Sequence, residues 1–395
     1  MPQQQHQGKL TSGWMGIHRG HKARPLEWLA EKFIFLVSLS TILMVFLIFV
    51  FVAREALPIF LGKENSALIK PVIPPADIDK LKSEELRAYL NLTEKQFQKM
   101  DRETKVDLML VKQEAQSEIP ERLLNDPDAK LNTTEWGAML KPRQWASYNK
   151  PEYIWQPIGQ IHKYNIIPLF VGSLKITIIG LLFAVPLAVG AAIYISQLAR
   201  PRVREVVKPV IEMLSGIPSV VVGFFALLIM ATVMQKVFGY ETRLNAFVAG
   251  VALSFSVIPL VFSIAEDALT SVPRSYTQGA LALGASRWQT AWQIVLPAAT
   301  PGVFAAVVLG FGRAIGETMI VLMVCSASVM SWSIFDSARS ITTTIAAEMA
   351  EAVAGGHHYR ILFMLGAILF AVTFVSNMLG ELVIHRLKHK MEGKR

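Results

Sequence analysis

Six stretches of this chain stay apolar for far longer than the one-sided stripe of a soluble helix, and the polar residues gather between them. The first, Phe33–Ala53, carries no charge over a length that crosses roughly 30 Å of hydrocarbon at about 1.5 Å per residue. Arg54 and Glu55 follow directly, with no small-residue cleavage site, so the pattern predicts a retained anchor and not a signal peptide. Five further apolar runs lie at about Ile166–Ser196, Pro209–Met234, Leu244–Ala265, Pro301–Ser326 and Ile361–Ile384. Several contain Gly or Pro, among them Gly180, Pro186, Gly216, Pro218, Pro259, Gly310, Gly312 and Gly316. Neighbouring helices in a membrane can satisfy the backbone groups that such breaks release. The expected fold is an all-α integral membrane protein of about six transmembrane helices.

Composition agrees, with 52% hydrophobic residues in 395 and a mean hydropathy of +0.40. The net charge of +9 gains meaning from its location. The segment Arg54–Lys163 is charge-balanced. The excess sits in the N-terminal tail (Lys9, Arg19, Lys22, Arg24, Lys32), at Arg200, Arg202, Arg204 and Lys208, at Arg274 and Arg287, and in the tail Arg386–Arg395. Six spans put all four regions on one side, which the positive-inside rule makes cytoplasmic. The basic residues then serve topology and anionic membrane lipid, and no nucleic-acid partner is expected. The single cysteine, Cys325, excludes an intrachain disulfide, and no Cys/His cluster has metal-ligand spacing.

The expected organisation is a cytoplasmic tail (1–32), a first span (33–53), a helical periplasmic insert (54–165), a core of five spans (166–384) and a second cytoplasmic tail (385–395). Within the insert, Pro71, Pro74 and Pro75 predict a stiff entry linker, and Asp77–Glu118 has a charged helical pattern. The Asn91 and Asn132 sequons matter only in a glycosylating secretory pathway.

The loop between the fourth and fifth spans, 271–297, is itself patterned. A short helix over about Pro273–Leu283 should stop at Gly284, the residue suited to a left-handed helix end. Ser286 lies three residues before Gln289, a capping-box spacing, and opens a second short helix. Trp288, Ala291, Trp292 and Val295 form its apolar face, and Pro297 should end it so that Pro301 can open the fifth span. From periodicity alone, this is equally an amphipathic pair lying on the membrane surface.

The residues in this loop resemble the cytoplasmic motif of ABC-importer permeases: Glu-Ala-Ala, three residues, Gly, nine residues, Ile, one residue, Leu-Pro. Here Gln278, Gly279 and Ala280 are followed in register by Gly284, Ile294, Leu296 and Pro297. Gln278 and Gly279 depart from the pattern, and Gln278 lacks the charge of the family Glu. The resemblance implies the type I ABC-importer permease fold and a loop that docks on an ATPase subunit, with Ser286, Trp288 and Trp292 in the same unit. Further segments resemble the PstC-type phosphate permeases. They are Trp155-Gln156-Pro157, Ile167–Gly172, Ile211–Val220, Gly312-Arg313-Ala314-Ile315-Gly316-Glu317-Thr318-Met319 and Ser340–Ala352. That resemblance implies a PstA-like partner permease, an ATPase dimer and a periplasmic phosphate-binding protein in a bacterial inner membrane. The sequence has no GxxxxGK[ST] loop. The chain is therefore expected to be no enzyme and to bind no cofactor, with ATP hydrolysed by a partner subunit.

Charges inside apolar runs are costly, and they are commonly paired and functional. Arg313 and Glu317 are spaced i, i+4 in the fifth run, so a continuous helix would pair them on one face. They are either a structural ion pair or a substrate-pathway site, with Arg313 offering its planar donors to an oxyanion and Glu317 holding Arg313 or accepting the proton of monohydrogen phosphate. In the family, the resemblance places the matching residues in transport. Lys175 is expected to snorkel, Glu212 to have a polar packing role, and Glu266, Asp267 and Glu381 to be solvated or to face headgroups. Glu348, Glu351, His357 and His358 lie outside, where contact with the binding protein is one possibility. Two other functions fit less of the pattern: a permease for another oxyanion such as sulfate or molybdate, and a secondary transporter, against which no inverted repeat is visible.

Overall fold

The computed structural model describes residues 25–69, 78, 82–90, 92, 94–117, 119–120, 123, 125–325, 327 and 329–391. Lys9, Arg19, Lys22 and Arg24, the Pro71–Pro75 linker, the Asn91 sequon and the final residues 392–395 lie outside the described residues. Two compact units divide the chain, Met1–Val52 and Ala53–Arg395. The described part of the first is the leading stretch of helix Pro25–Phe60, which contains the first candidate span. Among the described residues, six helices are long and apolar enough to cross a membrane.

The other five spans are Ile167–Leu198, Ser219–Phe238, Ala246–Thr270, Arg287–Ile315 and His357–Arg386, here called the second to sixth. The core of the second unit forms where the second and fourth spans meet. Ile176, Ala184, Ala188 and Ala192 pack against Leu253, Val257, Val261 and Phe262, all nearly inaccessible. Small residues let these backbones approach: a side chain on Gly180 would meet the Gly250 carbonyl, and one on Gly250 would meet Ile179. Gly380 similarly lets the sixth span close on Val308 of the fifth.

Two spans differ from expectation. The third begins at Ser219 and not at Pro209. The preceding residues form a separate amphipathic helix, Pro201–Leu214, none of whose residues is fully buried. The fifth begins at Arg287, because the second loop helix does not stop at Pro297 and runs on as one helix to Ile315. A π-turn at Ala291–Val295 explains the passage: the Leu296 N–H reaches the Ala291 carbonyl, so the turn widens where Pro297 removes a donor. Two further π-turns occur, at Tyr194–Leu198 and Ala226–Met230. Arg243 donates to the Leu227 carbonyl (3.0 Å) and to Thr232 Oγ1 (3.2 Å), satisfying backbone beside the latter turn.

Helices Ser83–Leu90, Glu94–Lys99 and Arg102–Ser117 follow the first span, with Ile78, Leu86, Leu90 and Met109 as a small core of their own. The two flanks of this segment are tied to each other. Asn132 accepts from the Ser66 and Thr134 N–H groups and donates to the Glu64 carbonyl, so its amide is engaged in structure. Asn165 donates to the carbonyls of Ala138 and Lys141. A two-stranded antiparallel hairpin, Trp155–Gln156 with Lys163–Tyr164, leads into the second span.

Candidate functional site

The loop that joins the fourth and fifth spans consists of helix Arg274–Ala282, a turn, and the start of the long fifth helix. Gly284 has φ +85°, the left-handed geometry that the helix end requires. Ser286 and Gln289 close a reciprocal capping box, with hydrogen bonds of 2.8 and 3.2 Å. The expected apolar face splits in two. Ala291 and Val295 are buried against the bundle, whereas Trp288 and Trp292 are exposed and lie face to neighbour, 5.6 Å between ring centres. Ala280 faces inward, Gln278 and Gly279 are exposed, and Ile294, Leu296 and Pro297 continue into the span.

The fifth helix ends at Ile315, and Gly316 caps it. Glu317 therefore falls beyond the helix, ahead of a short helix Met319–Val324, and no ion pair joins it to Arg313 among the described residues. Arg313 instead donates to Ser256 of the fourth span, from Nη2 to Oγ (3.0 Å) and from Nε to the carbonyl (3.3 Å). Its side chain is exposed within this chain, so donors remain available. The Glu317 carbonyl accepts from Thr342 Oγ1 (2.9 Å), which ties this break to helix Ile341–Glu348. A side chain at Gly312 would meet Asn377 of the sixth span. Ser256, Thr342 and Asn377 all lie far away in sequence, and no local pattern points to them.

Three other charges have partners that the sequence did not suggest. Glu266, expected to be solvated, is fully buried. Its carboxylate accepts from Arg204 Nη2 and Lys208 Nζ, each at 2.6 Å, and from Thr270 Oγ1 at 3.1 Å. The hydrogen bond to Glu266 raises Lys208 above the usual lysine value and keeps it charged. Lys175, near the outer end of the second span, donates its ammonium to the carbonyls of Ser331 (2.9 Å) and Ser333 (2.8 Å), pinning the loop before helix Ile341–Glu348. Glu348 is buried and engaged, accepting from Trp155 Nε1 (3.1 Å) and Arg339 Nη1 (2.9 Å), with His358 Nε2 at 3.4 Å. Burial raises the Glu348 carboxyl above its ordinary range, outweighing the Trp155 and Arg339 hydrogen bonds. Nearby, buried Glu64 pairs with His357 (2.5 Å) and Arg360.

Comparison with known proteins assigns this arrangement. The model of the family described as "Binding-protein-dependent transport system inner membrane component" matches residues 184–389. The chain belongs to that family. It is thus a multi-pass inner-membrane permease component of an ABC importer, a class that works with an ATPase and a substrate-binding protein. The matched region contains Glu266, the 271–297 loop, Arg313 and Glu317. Among relatives, it is 36% identical over 235 residues to the probable ABC transporter permease protein YqgH of Bacillus subtilis (strain 168), covering 59% of this chain and 76% of that one. It is 34% identical over 261 residues to the phosphate transport system permease protein PstC of Pasteurella multocida (strain Pm70), covering 61% and 80% respectively. With the phosphate transport system permease protein PstC 1 of Mycobacterium tuberculosis (strain ATCC 25618 / H37Rv), the figures are 32% over 254 residues, 58% and 75%.

Proposed function

We propose that this permease is the PstC-type subunit of an ATP-driven phosphate importer. The observation that carries the reading is the unbroken helix from Arg287 to Ile315. At one end it exposes Trp288 and Trp292, and near the other it holds Arg313, about 37 Å away at 1.5 Å per residue. A force applied to the tryptophan end moves the guanidinium end with it. Gln278, Gly279 and Ala280 supply the adjoining docking helix, and Gly284 sets its angle to the rod.

In this reading the 271–297 loop and both termini face the cytoplasm, as the Lys/Arg distribution favours, and the 54–165 segment is periplasmic. The ATPase dimer grips the loop, a PstA-like permease completes the pathway, and a periplasmic binding protein delivers phosphate. ATP is hydrolysed by the ATPase subunits, and this chain holds no cofactor. Arg313 offers a planar donor set to the oxyanion, held at a fixed height by Ser256. Glu317, released from the helix, accepts a hydrogen bond from the P–OH of monohydrogen phosphate, a donor that fully ionised sulfate lacks. The PstC relatives support phosphate over other oxyanions.

The test is phosphate uptake into proteoliposomes that contain both permeases and the ATPase, with the loaded binding protein supplied. Arg313→Gln and Arg313→Lys should assemble yet lose most uptake, and Gly284→Val should hydrolyse ATP with little uptake. Full uptake by Arg313→Gln would remove Arg313 from the pathway. Normal coupling in Gly284→Val would remove the loop from the mechanism.

A further inference from the structure

Glu266 is the one fully inaccessible carboxylate among the described buried residues, and it sits in the last turn of the fourth span, immediately before the loop. Both of its cationic partners come from helix Pro201–Leu214, spaced i, i+4 on one face. That helix has no fully buried residue; Val207 and Ile211 are partly buried against the core, while Val206, Val210 and Met213 are exposed. Asp267 adds little, at 3.8 Å from Lys208 and itself exposed. The Glu266 carboxylate is thus the main polar attachment of this helix to the bundle.

The position of the helix makes the attachment consequential. Upstream it follows the π-turn Tyr194–Leu198, and downstream a bend at Ser215–Pro218 leads into the third span. At Gly223 the third span packs directly on the backbone of Met319 and Ile320, two and three residues beyond Glu317. On the loop side, a cleft of about 290 Å³ lies between the loop and the clamp formed by Glu266, Arg204 and Lys208, lined by Arg204, Thr270, Arg274, Thr277, Gln278 and Val295. Arg204, held by Glu266, lines this cleft together with Gln278 of the first loop helix.

We propose that Glu266 is a positioning residue that transmits movement of the 271–290 loop to helix Pro201–Leu214, and through it to the third span and the backbone beside Glu317. The proposal rests on the coupling reading above. It adds a second route to the pathway, parallel to the Arg287–Ile315 rod. Removing the carboxylate frees the helix from the loop while leaving the tryptophan docking surface untouched.

The experiment measures ATP hydrolysed per phosphate imported in the reconstituted complex. Glu266→Gln should raise that ratio about tenfold, within the range that changes along coupled networks produce, with hydrolysis itself nearly unchanged. Arg204→Gln/Lys208→Gln should raise it equally. The triple variant should be no worse than either, because all three changes remove one interaction. A normal ratio in Glu266→Gln, or additive effects in the triple variant, would overturn the proposal. Should Glu266→Gln fail to assemble, the triple variant decides, since it leaves no unpaired charge at the clamp. A normal ratio there, or failed assembly there also, makes the clamp purely structural. Gly284→Val run alongside separates the two ideas: if its ratio is normal, the loop reading fails, whereas a raised ratio there beside a normal one in Glu266→Gln defeats the clamp alone.

Discussion

Each end of the helix bundle is organised around a buried glutamate bound to cations, yet the two are built differently. At the loop end, Glu266 holds Arg204 and Lys208 from a helix with no fully buried residue. At the other end, Glu348 and Glu64 sit in an apolar cluster. Trp155, Tyr164, Ile341, Leu362 and Leu365 are all nearly inaccessible around them, and Tyr164 stacks on His358. A buried ion pair contributes little net stability once desolvation is counted, whereas packed apolar area contributes much. The same device therefore holds a helix with no fully buried residue at one end and sits within a packed apolar cap at the other. Substitutions in the cap should change how stable the protein is, and those at the loop end should change how well it couples.

The sharpest test of that division is Trp155→Ala. It empties a fully buried site and strips Glu348 of a donor, so it should cost about 3–5 kcal/mol in denaturant unfolding of the purified complex. The molecules that remain assembled should keep a normal ATP-to-phosphate ratio; a raised ratio would erase the distinction. Gly172→Ala comes next, because an added methyl group would meet the Arg339 backbone carbonyl, where neither partner can swing away. About 1–3 kcal/mol of destabilisation is expected, again with coupling intact.

A smaller effect concerns pH. The Glu348 carboxyl is raised above its ordinary 4.5, so the folded cap binds this proton more tightly than the unfolded chain does. That contribution to stability is complete below about 4.5 and is lost as pH rises through the raised value. Melting temperature measured across this window should fall with rising pH more steeply in the wild type than in Glu348→Gln, and equal slopes would show that the carboxyl does not titrate there. The smallest expected change is Ser286→Ala at the loop end, which removes a cap worth about 1 kcal/mol. Amide exchange at Arg287–Thr290 should quicken about fivefold with no shift in global melting. A fall in melting temperature would mean that the loop is part of the rigid cap.

What could be read directly from the sequence was whatever local chemistry decides. Uninterrupted apolar length announced the six spans, and the Ser286–Gln289 spacing and Gly284 announced the loop turn, because each depends on neighbours within a few residues. The third span was placed early, since the apolar stripe of Pro201–Leu214 runs almost unbroken into the next hydrophobic run. Pro297 looked like a helix end because the π-turn that accommodates it has no residue signature. The i, i+4 reading of Arg313 and Glu317 assumed a helix through Gly316, and the helix stops one residue earlier. Ser256, which Arg313 does meet, lies 57 residues away. Glu266 looked solvated at the end of an apolar run because its partners lie 62 and 58 residues earlier. One clue was present, the Arg204–Lys208 pair on a single helical face, which needs a carboxylate wherever that face is covered.

The π-turn at Ala291–Val295 also sets a relation of phase. It holds five residues in the arc that about four fill in an α-helix, so the extra residue is absorbed with almost no change in length or in the phase of the flanking turns. Trp288 and Arg313 thus share one axis, with the relative direction of an α-helix one residue shorter. Deleting a single position within 291–295 would keep nearly the same reach and direction for Trp288, but would return Pro297 to an α-turn that its ring and missing N–H oppose. The turn therefore lets this rod carry Pro297 without re-aiming its exposed tryptophans.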